Sequence, residues 1–314
     1  MKSTVRTLFG VNSDAELDIH DEVTPYVPVA EDWYVFDTDL LRRLLIWHGG
    51  TAGRNILVHG PTGSGKSSLI EQFRSRMNVE VYRVACHGRT EFGDFAGQTT
   101  LKSDGSTEFI YGPLPRAMMN GATLLIDEFN FMPPPVSGAL NTVLDGGPLL
   151  LPETGELIQP HADFRIAATG NAVDSGTDAP AYRGVQKMNM ALLQRFLMTK
   201  VNYLAELEEA AVLGKVAPGL PPEVIQCLVK TAADVRASYM KGDLATPLAT
   251  RVLVKVARIM LHRLSFVLQA PMEEAKFALR FALLDGIAAD DARAIEGTLE
   301  RRGITLSNGS VKKK

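Results

Sequence analysis

The sequence has only two cysteines in 314 residues, Cys86 and Cys227. They lie far apart and match no redox or metal-ligand spacing. That excludes a disulfide scaffold and a zinc module, and it predicts two reduced, buried thiols. Long apolar runs are lacking too. Stretches such as Leu124–Ile126, Leu149–Leu151 and Phe281–Leu284 fall far short of the ~20 residues of a membrane span. There is no excess of charge of one sign: 33 basic and 36 acidic residues leave a net charge of −3. A protein whose main task is to coat nucleic acid is therefore not expected, and nucleic acid is not an expected partner. Met1–Gly10 carries Lys2 and Arg6 but leads into no apolar segment of the kind a secretory signal needs. The expectation is a cytoplasmic protein. The six histidines do not cluster. His48, His59, His87 and His161 fall in different segments, so no metal is assigned to them, and core or turn roles are expected. The Lys312–Lys314 end reads as a solvated tail.

What is present is an ordinary globular composition, 46% hydrophobic and 22% charged. At ~100–200 residues per domain the length predicts two domains, possibly three. Residues 1–33 read as an irregular N-terminal extension, with Asp14, Glu16, Asp18, Asp21 and Glu22 followed by Pro25 and Pro28 and no clear period. Asp37 and Thr38 can cap a helix whose Leu40, Leu41, Leu44 and Leu45 form one stripe, stopped by Gly49, Gly50 and Gly53. Ile56–His59, Val79–Ala85, Thr123–Asp127, Phe164–Thr169 and Met198–Val201 read as five strands, several separated by helices. This alternation predicts a parallel sheet with crossover helices. After about Ala205 the strand signals stop. Segments 205–214, 222–240, 248–268, 272–285 and 289–298 carry helical periodicity, punctuated by prolines. The expected division is therefore extension 1–33, α/β domain 34–204, helical domain 205–300 and tail 301–314.

Gly60-Pro61-Thr62-Gly63-Ser64-Gly65-Lys66-Ser67 fits the P-loop pattern at every required position, with a strand before it and a helix after it. Glycines let backbone N–H groups wrap phosphate oxygens, and the following helix adds its positive N-terminal dipole. ATP is the expected ligand of Gly60–Ser68, with Ser68 continuing the helix. Lys66 is expected to reach the β- and γ-phosphates, and Ser67 to ligate Mg²⁺. The apolar strand ending in Asp127-Glu128 supplies the next pair: Asp127 to hold Mg²⁺ through water, Glu128 to act as general base toward the attacking water. Asn171, just after the fourth strand, is placed to position that water. Two arginines have the planar fork that suits a developing phosphoryl charge: Arg195, just before the fifth strand, and Arg251, opening a helix of the C-terminal domain. Arg183 is a weaker third.

Together the P-loop, Asp127-Glu128, Asn171, Arg195, Arg251 and a helical lid resemble the AAA+ ATPases. Gly112-Pro113-Leu114, Asp127-Glu128-Phe129-Asn130 and Pro133–Pro135 are similar to the MoxR and dynein-related branch. Tyr182–Asn189, Arg195-Phe196, Asn202-Tyr203-Leu204, Leu8-Phe9-Gly10 and Ala249-Thr250-Arg251 resemble the small ATPase subunits of aerobic cobaltochelatases. The residue before Arg195, usually Asp in this branch, is Gln194. The resemblance implies a five-stranded AAA+ core with a small all-α lid, and hairpins at about 97–112 and Leu149–Ile158. It implies a first-sensor role for Asn171, an arginine finger at Arg195 acting on the neighbouring subunit's ATP, and a second sensor at Arg251. A finger in trans implies a ring, most often a hexamer, working with a separate von Willebrand A domain protein. The expected task is remodelling or activating a partner complex, with metal insertion as in cobaltochelatase the sharpest candidate. A nucleic-acid motor on the same fold is the alternative. Phe92 and Phe95 are read as one core aromatic and one that could line a ring's pore.

Overall fold

The computed structural model describes residues 1–171 and 189–306. Arg183, the Tyr182–Met188 part of the signature and the lysine tail lie outside the described residues. Within them the chain divides into two units, one made of residues 1–60, 66–171 and 189–201, the other of 61–65 and 202–306.

The first unit is built on the five expected strands: β1 (Asn55–His59), β2 (Val81–Ala85), β3 (Thr123–Asp127), β4 (Arg165–Gly170) and β5 (Leu197–Lys200). All neighbours run parallel, in the order β5-β1-β4-β3-β2. Successive side chains alternate between the two faces. Leu57, Leu124, Ile126, Ile166 and Ala168 enter one buried cluster. Ile56, Val58, Leu125 and Ala167 enter the other. Because helices cover both faces, the inner strands β1, β4 and β3 are buried almost throughout, whereas the edge strands β2 and β5 alternate between buried and exposed residues. Each fully buried Leu or Ile contributes about 1.5–3 kcal/mol, so these strands are firmly held, and the site residues at their carboxyl ends inherit that rigidity.

The flanking helices are α1 (Thr38–Gly49), α2 (Lys66–Ser75), α3 (Pro113–Asn120) and α4 (Pro134–Leu144). As expected, the Asp37 side chain caps α1, accepting from the Leu40 N–H at 2.8 Å, and Gly50 closes it in the left-handed conformation. Two antiparallel hairpins stand where they were expected: Gly97–Leu101 with Thr107–Tyr111, and Leu149–Leu151 with Glu156–Ile158. At the root of the first, a Cβ on Gly97 would lie 2.1 Å from the Ile110 carbonyl oxygen. No side chain fits there. Of the two phenylalanines before that hairpin, Phe95 is fully buried in the core, whereas Phe92 packs on it from a partly buried position.

The N-terminal segment is more regular than its sequence suggests. Lys2–Thr4 pairs with Glu16–Asp18 in a small antiparallel ribbon, and Val5–Phe9 forms a capped helical turn. Val5 and Phe9 are buried with Phe36 and Phe73; the Phe9 ring stacks on Phe73 at a centroid distance of 5.3 Å and meets Phe36 edge-on at 5.2 Å. Three-residue strands are too short to show a period, and their acidic residues point outward, so only the structure reveals them.

The second unit contains α5 (Glu206–Val216), α6 (Pro222–Lys241), α7 (Thr250–His262), α8 (Pro271–Ala282) and α9 (Ala289–Arg302). The segment expected as one helix over 248–268 breaks at Arg263, where a separate turn, Leu264–Val267, begins. Arg263 pairs with both carboxylate oxygens of Glu274, at 2.6 and 2.9 Å, and its guanidinium lies over Phe266 and Phe277. No helix among the described residues is long and apolar enough to cross a membrane.

Truncating Phe9 to Ala should cost about 3–5 kcal/mol, the range for a buried Phe. Urea unfolding of Phe9→Ala against the unaltered chain checks this; a loss within about 0.5 kcal/mol, the range of ordinary surface substitutions, would return residues 1–9 to the status of an appendage.

Candidate nucleotide site

Strand β1 ends at His59, the glycine-rich loop turns through residues 60–65, and α2 starts at Lys66. Gly60, Gly63 and Gly65 all have positive φ, at 155°, 74° and 88°. Such a sequence of turns faces backbone N–H groups inward and is open only to glycine at these values. Gly63 is also constrained by contact: a Cβ there would lie 2.4 Å from the Ala249 Cβ.

Lys66 is buried, and its ammonium donates to the Gly60 carbonyl at 3.1 Å and to the Asn171 side-chain oxygen at 2.9 Å. The Asn171 amide nitrogen in turn donates to the Glu128 carboxylate at 3.0 Å. One amide therefore joins the lysine expected to reach the phosphates to the expected base. Its backbone N–H is aligned by the side-chain oxygen of Asn130, at 3.4 Å. Glu128 has φ 54°, one of two non-glycine residues with positive φ among those described. That conformation is disfavoured for a residue with a side chain. Here it turns the chain sharply out of β3 into the short helical turn Phe129–Phe131.

Asp127, at the carboxyl end of β3, is nearly enclosed. One carboxylate oxygen accepts from the Ser67 hydroxyl at 2.6 Å and from the Thr169 hydroxyl at 2.8 Å. The other accepts no hydrogen bond but is ion-paired with Arg83. Thr169 and Arg83 were not singled out in the sequence. A threonine inside an apolar strand and an arginine on an alternating strand look unremarkable there; only sheet order puts both beside Asp127. The convergence of a serine hydroxyl and a buried carboxylate fits a hard divalent cation such as Mg²⁺. Cys86 lies close by, its N–H donating to the Asp127 carbonyl at 2.8 Å. Burial, and then Asp127, push its thiol up to about 12, so it is no nucleophile. Burial, Lys200 and Lys66 hold His59 below the usual imidazole range.

Arg195 is part of the same unit but makes a different set of contacts. Its guanidinium grips Asp145 with two bonds, at 2.7 and 3.1 Å, and donates to the Ala191 carbonyl at 2.9 Å. The buried amide of Asn55 ties its backbone to the end of α4, donating to the Arg195 carbonyl at 2.9 Å and to the Leu144 carbonyl at 2.8 Å. Arg195 is thus held at a defined place by its own chain and not drawn into the Lys66–Asn171–Glu128 group. Asp145 and Asn55 gave no signal in the sequence, since their partners lie 50 and 140 residues away.

The second unit holds Arg251, exposed on the first turn of α7. The entry to that helix is fixed by a buried ion pair. Arg236 bonds both oxygens of Glu209, at 2.9 and 2.7 Å, and donates to the Leu248 carbonyl at 2.8 Å; the Thr250 hydroxyl donates to Glu209 at 2.6 Å. Tyr203, under the Arg236 guanidinium, donates its hydroxyl to the Thr62 carbonyl at 2.8 Å. With Ala249 against Gly63, this places the start of the Arg251 helix beside the tip of the glycine-rich loop.

Comparison with known proteins gives the same picture from another direction. Residues 55–196 match the AAA domain of the dynein-related subfamily, and residues 209–300 match the CbbQ/NirQ/NorQ C-terminal domain. The chain is 31% identical over 260 residues to the aerobic cobaltochelatase subunit CobS of Sinorhizobium sp, covering 80% of this chain and 78% of that one. It is 33% identical over 202 residues to an uncharacterized protein of Staphylococcus epidermidis, covering 63% of this chain and 74% of the relative. A stretch of 175 residues is 34% identical to midasin of Dictyostelium discoideum, 55% of this chain but 3% of midasin.

Asn171→Ala removes the link between Lys66 and Glu128 without touching the loop. Hydrolysis should fall by about 10²-fold, the low end of what a well-positioned general base contributes, because Glu128 and the water lose their alignment while ATP stays bound. Steady-state phosphate release beside direct ATP binding separates the two; unchanged turnover would take Asn171 out of the site.

Proposed function

The chain belongs to the dynein-related AAA+ ATPases and carries a CbbQ/NirQ/NorQ C-terminal domain, and we propose that it hydrolyses ATP within a ring to remodel or activate a partner complex. The observation that carries the hydrolytic part is the hydrogen-bonded group Lys66–Asn171–Glu128, set beside Ser67 and Asp127. Lys66 is the cation for the β- and γ-phosphates, and the loop N–H groups hold the remaining phosphate oxygens. Ser67 and Asp127 would hold Mg²⁺, which when bound offsets charge on the phosphates. Glu128 takes the proton of the attacking water, and Asn171 fixes where that water sits. The proposed division of labour follows the expected boundaries: nucleotide chemistry in residues 34–204, with a lid over 205–300 that brings Arg251 to the γ-phosphate.

Arg195 is assigned to the neighbouring subunit's ATP. Its in-chain partner is Asp145 rather than any residue of its own phosphate site, which supports action across a boundary. The proposed ring is a hexamer, its proposed partner a separate von Willebrand A domain protein, and its proposed compartment the cytoplasm. Similarity to a cobaltochelatase subunit supports a motor for metal insertion into a tetrapyrrole as the specific task.

Glu128→Gln should bind ATP with Mg²⁺ and stall, since an amide cannot accept the water's proton. Affinity isolation of this trap with ATP should recover the client and any von Willebrand A partner. Turnover near the unaltered rate would remove Glu128 from the mechanism.

For Arg195 the measurement is a mixture. Arg195→Ala and Lys66→Ala subunits should each be nearly inactive, the first by about 10³–10⁵ in rate if it lacks an arginine finger. Mixed rings contain interfaces with an intact loop facing an intact Arg195, and part of the activity should return. No recovery at any ratio, with subunit exchange shown separately, would place Arg195 in cis or outside the chemistry.

A further inference from the structure

Arg83 is unclaimed by the reading above, yet it is the nearest positive group to the carboxylate assigned to Mg²⁺. It stands on β2, which pairs with β3 so that Ala85 is level with Asp127 and Arg83 with Leu125. From there its guanidinium reaches forward along the sheet to the Asp127 oxygen that accepts no hydrogen bond. A second carboxylate shares it: Arg83 bridges to Glu71, on α2, which accepts from the other guanidinium nitrogen at 3.3 Å. The Asp127 side chain is 6% exposed and the Arg83 side chain 53%. One partner is fixed and enclosed; the other is long and half in solvent. Arg83 also lines a cavity of about 260 Å³ with Tyr26, Tyr82, Tyr111 and Arg116, which gives the side chain room to leave Asp127.

A buried carboxylate with no cation beside it is costly. Two hydroxyl donors on one oxygen reduce that cost without cancelling the charge. A divalent cation and a guanidinium on the same carboxylate, in turn, repel each other strongly at such separations. The two states therefore need different neighbours. We propose that Arg83 is a positioning residue for the Mg²⁺ site: it neutralises Asp127 while the site holds no metal, and it moves to Glu71 and the adjoining cavity when Mg²⁺–nucleotide binds. This rests on the assignment of Asp127 to Mg²⁺. It makes metal binding a charge exchange, so the Mg²⁺ concentration at which nucleotide is captured is set by the contest between Asp127 and Glu71 for Arg83.

The test is equilibrium binding of a non-hydrolysable fluorescent ATP analogue to the full chain, titrated with Mg²⁺. Arg83→Gln removes the competing charge, and the Mg²⁺ concentration for half-maximal binding should fall roughly tenfold. Arg83→Lys keeps the charge and should stay close to the unaltered chain. Glu71→Gln leaves Asp127 as the sole carboxylate for Arg83 and should raise the Mg²⁺ requirement; in the double variant with Arg83→Gln that rise should vanish, since coupling requires both partners. An unchanged or higher Mg²⁺ requirement in folded Arg83→Gln overturns the inference. Should Arg83→Gln fail to fold, Glu71→Gln decides: a requirement equal to the unaltered chain overturns it, a raised one supports it. A chain that captures the analogue equally well without Mg²⁺ would instead remove Asp127 from metal binding, and Arg83 with it. Loss of the Arg83 effect alone leaves the ATPase reading intact.

Discussion

A buried carboxylate has to find polar partners at the end of a strand that is apolar on both faces. That requirement organises the nucleotide site. Asp127 follows Leu124, Leu125 and Ile126, all fully buried, and its oxygens are met there by two hydroxyl donors and a guanidinium. The donors come from three different strands and helices. Ser67 arrives from the helix after the loop, Thr169 from β4 and Arg83 from β2. None of the three could be in place unless the sheet had the order it has, with β3 between β4 and β2. The packing of the sheet and the electrostatics of the site are therefore one problem, in which apolar burial supplies the rigidity and the polar ends of the strands use it.

The same logic recurs in the helical unit with a different pair. Arg236 and Glu209 are both almost completely buried, at 8% and 1% side-chain exposure. A buried pair of this kind is a poor source of net stability, because desolvation offsets much of its attraction. Its directional bonds are more informative. They reach the Leu248 carbonyl and the Thr250 hydroxyl, the two residues flanking Ala249, and so orient the first turn of the helix that presents Arg251. Two arginines thus differ sharply in role. Arg236 is spent on architecture, and Arg251 is left at the surface by it.

Arg195 shows a third arrangement. The guanidinium proposed to act on another subunit is held in place by its own chain. The bidentate contact with Asp145 does this for the free chain, and the Asn55 amide fixes the backbone beneath it. The residue before Arg195 is Gln194, and the acidic partner of Arg195 comes instead from the end of α4, some fifty residues earlier in the chain.

How far the sequence alone reached follows from which interactions are local. The P-loop, its strand and its helix occupy one short segment, and their glycine, lysine and serine positions are dictated by phosphate geometry; they were legible residue by residue. The strand ending in Asp127-Glu128, the α1 cap at Asp37 and the run of helices after Ala205 were legible for the same reason, each being set by neighbours within a few residues. Glu128 and Asn171 could be paired in role from their places at two strand ends, although their contact spans 43 residues. Tertiary structure decided the rest. That Phe95 and not Phe92 is the core aromatic, that residues 1–18 form a ribbon and turn rather than an irregular lead, and that the helix over 248–268 breaks at Arg263 all depend on partners distant in sequence. So do Thr169, Asp145, Asn55 and Arg83. A hydroxyl, an amide or a guanidinium has no periodicity of its own, and its partner is chosen by sheet order and packing, which no short window of sequence contains.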